Sequence, residues 1–292
     1  VDTLISAAKL RSLSYDEPLV QRGGLKIYEH PKEKHEYLMT VDVSRGVNND
    51  YSAFILYDIT EVPYKIVGIY RNNEVKPMIF PNIINQVSTQ YNQAYILCEV
   101  NDIGDQVASI LQYDLENENV LMCAMRGRAG QVVGQGFSGT KTQLGVKMST
   151  TVKKIGCSNL KQLVETDKVL INDYDIIAEL TTFIQKRQSF EADDGCNDDL
   201  AMCLVIFGWL VAQDYFKEMT ENDVRTRIYE EQKNQIEQDM APFGFIDDGL
   251  GTYEKEKDQE GNVWVVADNK GWYENESPRD EYGELNYMWE YR

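Results

Sequence analysis

Histidine is nearly missing from this chain: only His30 and His35 occur in 292 residues. That excludes imidazole-rich zinc sites and leaves most His-based catalysis without its working group. Cysteine does not fill the gap. Five are scattered at positions 98, 123, 157, 196 and 203, an odd number with no C-x-x-C pair. Neither a disulfide framework nor a thiolate metal site is encoded, and the thiols read as reduced and mostly packed, as in a cytosolic protein. No apolar run approaches the roughly 20 residues of a membrane span, and no charged–apolar–small leader opens the chain. Export and a membrane partner are therefore not expected. The first residue is Val1 rather than Met, from which a fragment or processed product is expected. Any metal held by such a chain is a hard cation bound through oxygen.

What is plentiful is negative charge, at 48 acidic against 29 basic residues and a net charge of −19. It is unevenly spread. Leu121–Leu170 carries eight basic residues (Arg126, Arg128, Lys141, Lys147, Lys153, Lys154, Lys161, Lys168) against Glu165 and Asp167 alone. From Asp214 onward, 21 acidic residues face nine basic ones. Global charge thus says little about partners, whereas the basic block is a candidate phosphate-facing surface. Any single lysine in it is equally a solvated helix residue.

Apolar patterning divides the chain into a segment 1–36, a core 37–212 and an extension 213–292. The first mixes a short helical signal (Leu4, Ile5, Ala8) with a loop around Pro18, Gly23-Gly24 and Pro31, and reads as a linker or edge decoration. Tyr37–Asp42, Ser52–Thr60 and Tyr64–Arg71 are strand-like, with turns short enough for an antiparallel meander. Ile79, Ile83, Ile84, Val87 and Tyr91 recur at helical spacing. Ala94–Val100 is a buried strand. It leads to a helix on Ile103, Val107, Ile110, Leu111 and Leu115, with Asn101 or Asp102 placed to cap it. Asn119–Ala124 is a fifth strand. The order βββ-α-β-α-β predicts an α/β fold of ribonuclease H/resolvase-like type, a mixed central sheet flanked by helices.

Lys141–Val164 reads as a basic helix or helix pair interrupted near Gly156. A helix on Ile176, Ile177, Leu180, Phe183 and Ile184 follows, and Asn197-Asp198-Asp199 opens a last core helix. The extension is a charged helix and then an acidic, Tyr/Trp-rich stretch. In it Val263–Ala267 runs into Asp268-Asn269-Lys270-Gly271, a hairpin-like signal. Gly134, Gly136 and Gly139 spell G-x-G-x-x-G, but late in the chain and with no acidic strand end about 20 residues on. Lys141 does not directly follow Gly139, so the ATP-loop spacing fails as well. These glycines read as a flexible loop or hairpin.

Three acidic sites share one local grammar. Asp42 ends the first core strand, Glu99 ends the fourth, and Asp198 and Asp199 start the last helix. Each has a bland reading: Asp42 starts a turn, Glu99 pairs with a base, Asp198 caps its helix, and Asp50 is turn chemistry. In the predicted fold, however, all three ends meet. Carboxylates converging there repel strongly unless cations bind. A pair of Mg²⁺ or Mn²⁺ ions about 3.5–4 Å apart is the usual solution, and phosphodiester hydrolysis its usual work. One ion then activates water and the other stabilises the leaving 3′ oxygen, with Asp42 the expected bridge.

The stretches TVDVSRGVNNDYSAF (40–54), YILCEVNDIG (95–104), 140–184 and FEADDGCNDDLAMCLVIF (190–207) carry a resemblance. The chain resembles the nuclease domain of the large terminase subunit of tailed, myovirus-type bacteriophages over about residues 37–212. The resemblance implies a metal-dependent endonuclease that cuts concatemeric double-stranded viral DNA during packaging. Catalytic and metal-binding acids would be Asp42, Glu99, Asp198 and Asp199, with Asp50 an accessory ligand. Arg126, Arg128, Lys141, Lys147, Lys153 and Lys154 are the expected DNA-binding residues. By resemblance the partners are the portal, the small terminase subunit and an N-terminal packaging ATPase domain absent from this chain. The place of work would be the host cytoplasm, transiently at the procapsid. Many members have His where this chain has Asn197, and Asn cannot shuttle a proton at neutral pH. The alternatives are a junction resolvase or ribonuclease H-type nuclease, a nucleotide-driven motor acting through the Gly134–Gly139 loop, or a non-catalytic DNA- or partner-binding module docking through Trp264, Trp272 and Trp289.

Overall fold

The computed structural model describes residues 2–44, 51–124, 130–133, 141–187 and 189–220, together with the backbone of two strands at 254–257 and 263–266. Val1–Tyr229 forms one unit and Glu230–Arg292 another. The segment expected as a linker or edge decoration is built into the first unit. Leu4 and Ile5 are buried, α1 (Ala7–Ser12) follows, and β1 (Val20–Arg22) and β2 (Leu25–Ile27) form a hairpin. Its two-residue turn is Gly23-Gly24, both at positive φ, the geometry glycine adopts without strain.

The apolar runs become strands where expected. β3 (Tyr37–Asp42), β4 (Ser52–Asp58) and β5 (Tyr64–Asn72) form an antiparallel meander. Helix α2 (Phe80–Gln90) starts at a proline, where the missing amide costs nothing. β6 (Tyr95–Cys98) then pairs parallel with β3. The sheet runs β1-β2-β5-β4-β3-β6.

Strand alternation sorts the side chains between two cores. Tyr37, Met39 and Val41 of β3 join one, with Phe80 and Ile84 of α2 and Cys98 of β6. Leu38, Ile55, Ile69 and Leu97 face the other. By the same parity Asp42, Ala53, Arg71 and Glu99 belong to this second face. Asp42, Ala53 and Arg71 even stand in one row across three strands.

The next helix, α3 (Gly104–Ser109), continues as a π-helical turn over Ile110–Asp114. Its N-terminus carries no side-chain cap, so neither Asn101 nor Asp102 has the capping role expected of them. β7 (Met122–Ala124) departs from expectation too. Instead of completing the central sheet, it lies between β8 (Gln131–Val133) and β9 (Thr142–Leu144) in a sheet of its own. The isolated bridge Ile96–Val120 links the stretch ahead of it to β6.

Helix α4 (Thr150–Glu165) is continuous through Gly156, where an interruption was expected. β10 (Val169–Leu170) adds beside β5. Helix α5 (Tyr174–Thr182) stops before Phe183 and Ile184, which enter the hairpin of β11 (Phe183–Lys186) and β12 (Ser189–Ala192). Helix α6 (Asp199–Val211) is apolar all round, and Leu200–Leu210 is buried throughout, as befits a helix enclosed by other elements. It packs across β3, β4, α4 and α5. In the second unit β13 (Glu254–Lys257) pairs with β14 (Val263–Val266). That hairpin closes on the strand before it; residues 268–271 lie outside the described residues.

Gly156 holds α4 against α6. A Cβ there would stand 2.3 Å from the Val205 carbonyl, and one at Gly208 would stand 2.5 Å from the Gly156 carbonyl and 2.8 Å from the Leu160 amide. These are backbone atoms, and no rotamer change relieves them. Close packing therefore overrides glycine's poor helix propensity. Gly208→Ala should lose about 1–3 kcal/mol to overpacking although alanine is the better helix former by about 1 kcal/mol. Thermal unfolding would show the drop, and an unchanged midpoint would contradict the close crossing.

Candidate metal centre

Two parallel strands and one buried helix end at the same edge of the second sheet face. Asp42 is the last residue of β3, and Glu99 follows β6, its amide donating to the Val41 carbonyl at 2.8 Å. Asp198 and Asp199 open α6, which crosses β3. All four carboxylates are half-buried. Asp50 lies outside the described residues.

Proximity is visible in the proton affinities. Burial pushes Asp42 well above the ordinary carboxylate range, and Glu99, Asp199, Asp198 and Glu179 push it further. Glu99 rises to about 7 through burial, with Asp198 adding to the rise while Lys153 and the Asn101 amide resist it. Asp199 rises to about 6, again through burial, with Arg71 opposing and Asp198 reinforcing. Burial joined to mutual repulsion has this signature, and groups shifted in this way cluster at functional sites.

Asp198 and Asp199 have different surroundings. Asp198 occupies the N-cap position of α6 but makes no capping bond; its Oδ2 accepts from the Ala192 amide at 3.2 Å. Asp199 keeps Oδ2 buried and without a hydrogen-bond partner, an acceptor that is costly to hide unless something positive meets it.

These donors fit a hard divalent cation in kind: carboxylate oxygens, one of them orphaned, with no soft ligand intruding. The Cys203 thiol is close enough for Asp42 to raise it, but burial alone keeps it protonated. Among the described residues no three His, Cys, Asp or Glu side chains are gathered tightly enough to hold one ion as they stand. The acids are near enough to couple, and ligation requires them to draw together. A cation would supply that attraction.

Of the expected DNA-binding residues, Lys141 and Lys147 are exposed around β9, and Lys154 is exposed on α4. Lys153 is half-buried, with its ammonium 5.7 Å from the centre of the Phe183 ring, and it opposes the rise at Glu99. Arg126 and Arg128 lie outside the described residues, as do Gly134, Gly136 and Gly139.

Three residues that pattern reading passed over belong to the centre. Asn101 donates to Glu99 Oε1 at 2.7 Å. Glu179 of α5 is buried, pushed up to about 7 by burial, and bonded through Oε2 to the Ala201 amide at 2.9 Å. Arg71 stands 3.3 Å from Glu179 Oε1. A signal existed for one of them: Glu179 interrupts the apolar stripe of Ile176 and Leu180, whereas Arg71 joins the row of Asp42 only through strand pairing.

The pattern that defines the terminase RNase H-like domain matches residues 39–207. The chain belongs to that family. Among solved structures it resembles the large terminase nuclease of thermophilic phage G20c with bound magnesium, at 24% identity and a TM-score of 0.53. The likeness covers 71% of this chain and 97% of that one. The cobalt-bound form of the same nuclease matches equally, at 24%, 0.53, 71% and 97%. The large terminase nuclease domain of Thermus phage P74-26 matches at 24% identity and a TM-score of 0.50, over 70% and 93% of the two chains. The terminase fold is thus an RNase H-like mixed sheet with helices on both sides, as expected from the order of elements.

The raised carboxyls make the stability of this terminase domain depend on pH. Glu99 and Glu179 at about 7 and Asp199 at about 6 lie above their unfolded values, so the folded chain binds protons more tightly than the unfolded one. Their favourable contribution is full below the ordinary carboxylate range and is lost as pH rises through 6 and 7. In chelator, the unfolding temperature should therefore fall between pH 5 and pH 8. Glu99→Gln should flatten the slope, and Mn²⁺ at pH 8 should restore stability by binding the folded state. A slope untouched by Glu99→Gln would contradict the assignment.

Proposed function

We propose that this terminase domain is a metal-dependent endonuclease that cuts double-stranded DNA during viral packaging. The observation that carries the proposal is the meeting of Asp42, Glu99, Asp198 and Asp199 at one edge of one sheet face, each of the first, second and fourth with its proton affinity raised by burial and, to a lesser degree, by its acidic neighbours. The magnesium and cobalt forms of the phage G20c nuclease support a divalent ion here, and the donor chemistry favours Mg²⁺ or Mn²⁺.

Asp42, Glu99, Asp198 and Asp199 would hold the cations, two by charge count. Bound there, they supply the Lewis acidity that phosphodiester hydrolysis needs. The protein's own part is positioning. Asn101 orients Glu99 through its amide. Lys153, beside Glu99, presents a positive charge at the rim of the acids, where a phosphate of the scissile strand would otherwise meet only repulsion. A cleft of about 750 Å³ lined by Asn101, Tyr113, Gln143 and Lys147, with Asp102 and Asp105 also on its wall, opens beside Asn101, and Lys147 is the charge through which it would meet a phosphate without base contacts. Cutting would be largely independent of sequence. The portal, the small subunit and a packaging ATPase domain are the partners that this role entails, in the host cytoplasm and at the procapsid.

Plasmid nicking in Mg²⁺ or Mn²⁺ tests the chemistry. Asp42→Asn should slow it by more than about a hundredfold, since several kcal/mol of charge stabilisation go with the metal. A rate left intact by Asp42→Asn would overturn the proposal. Linear duplex should be cut in preference to four-way junctions and RNA–DNA hybrids; the reverse order would favour a resolvase or ribonuclease H-type activity. Lys153→Ala with Lys154→Ala should weaken duplex binding and lower the salt slope by about 1 for each phosphate no longer neutralised. An unchanged slope would remove both lysines from the interface.

A further inference from the structure

Helix α6 starts without help from its own cap residue. The free amides of a helix N-terminus need partners once they are buried, and Asp is among the side chains best suited to provide one from the N-cap position. Asp198 stands there and does not do so; its carboxylate is turned to the Ala192 amide. Asp199, next along, leaves Oδ2 unpartnered. The amide of Ala201 is met instead from another helix, by Glu179 Oε2 of α5 at 2.9 Å, and the Leu200 amide is drawn to the same carboxylate. Glu179 is only 5% exposed.

A buried glutamate reaching across from α5 is a costly way to close a helix that begins Asp-Asp. The cost has a return if both aspartates must keep oxygens free. The other oxygen of Glu179 has a cation beside it but no hydrogen bond. Oε1 lies 3.3 Å from Arg71 Nη2, though too poorly aligned for a hydrogen bond, and the Arg71 guanidinium sits over the Tyr51 ring at 4.0 Å. Glu179 therefore faces a fixed cation on one side and a helix terminus on the other.

We propose that Glu179 is a positioning residue of the metal centre. By capping α6 from α5, backed by Arg71, it fixes the first turn of α6 in place and releases Asp198 and Asp199 to bind cations. The inference rests on the metal-dependent reading above. It concerns binding, so it can be read without nuclease activity.

The test is Mn²⁺ titration calorimetry on the full chain, at a temperature where circular dichroism shows each variant folded. Glu179→Ala should weaken Mn²⁺ about 10–100-fold, as loss of an orienting partner does, while Glu179→Gln, whose amide oxygen still accepts from Ala201, should stay within about threefold of the parent. Glu179→Asp keeps the charge but falls a methylene short, and should show the alanine loss if Glu179→Ala does not fold. Val107→Ala, a core truncation on the opposite face of the sheet, should leave Mn²⁺ affinity unchanged and so separates positioning from general loss of stability. Parent-like affinity in folded Glu179→Ala or Glu179→Asp would overturn the inference. So would an equal loss in Glu179→Gln, which would make the charge itself the ligand. Asp42→Asn sets the reference. Binding abolished by Asp42→Asn but indifferent to Glu179 would defeat the positioning role alone, whereas a parent chain that binds no Mn²⁺ would defeat the metal reading and this inference with it.

Discussion

Like charges held close together away from water are the constraint around which the sheet's working edge is arranged. Asp42, Glu99, Asp198 and Asp199 gain nothing from one another in the folded chain, and burial makes Asp42, Glu99 and Asp199 harder to ionise. Folding brings them together anyway, because the apolar residues behind them decide where the strands and the helix go. Leu38 and Val41 fix β3, Ile96 and Leu97 fix β6, and the continuous apolar surface of α6 fixes the third approach. The hydrophobic cores do the assembling and the acids are carried along. A site built this way is unfavourable by itself and would become favourable with cations present, which would couple stability to occupancy.

Relief is partial and local. Arg71 opposes the rise at Asp199 and Glu179, Lys153 opposes it at Glu99, and Asn101 spends its amide on Glu99. The positive end of the α6 backbone faces Asp198, Asp199 and Glu179 and adds a little more. None of these neutralises the set. The balance matters chemically: a cluster fully paired with its own bases would have no use for a metal, and one with no bases at all would resist folding.

The strand and helix ends were legible in sequence because they are marked by composition alone. An Asp or Glu closing a buried apolar run needs no knowledge of neighbours to attract notice. Residues whose meaning depends on register or on a partner far away were not legible. Arg71 becomes part of the centre only once β5 pairs with β4 at Ala53, and Glu179 only once α5 lies against the start of α6. Met122–Ala124 read correctly as a strand but was given the wrong sheet, since a short apolar run says that it is buried and not beside what. Gly156 read as a break because propensity was weighed without the close approach of Gly208. Asn101 read as a cap because its position suited one, while the carboxylate two residues earlier claimed its amide. The hairpin of β11 and β12 likewise takes Phe183 and Ile184 out of a helical stripe, through pairing partners that periodicity does not see.

Helix α6 has a quality that its burial alone does not convey: it is a rigid rod held at both ends. At its far end Phe207 stacks on Tyr57, with ring centres 4.1 Å apart, and meets Phe216 edge-on. At eight residues' distance, about 12 Å along the axis, stand Asp198 and Asp199. An enclosed helix of this kind has little freedom to slide, so a change of bulk among those aromatic rings would be passed along the rod to the acids. The spacing of the centre is in that sense written twice, once in the carboxylates and once in a patch of aromatic packing that never touches an ion.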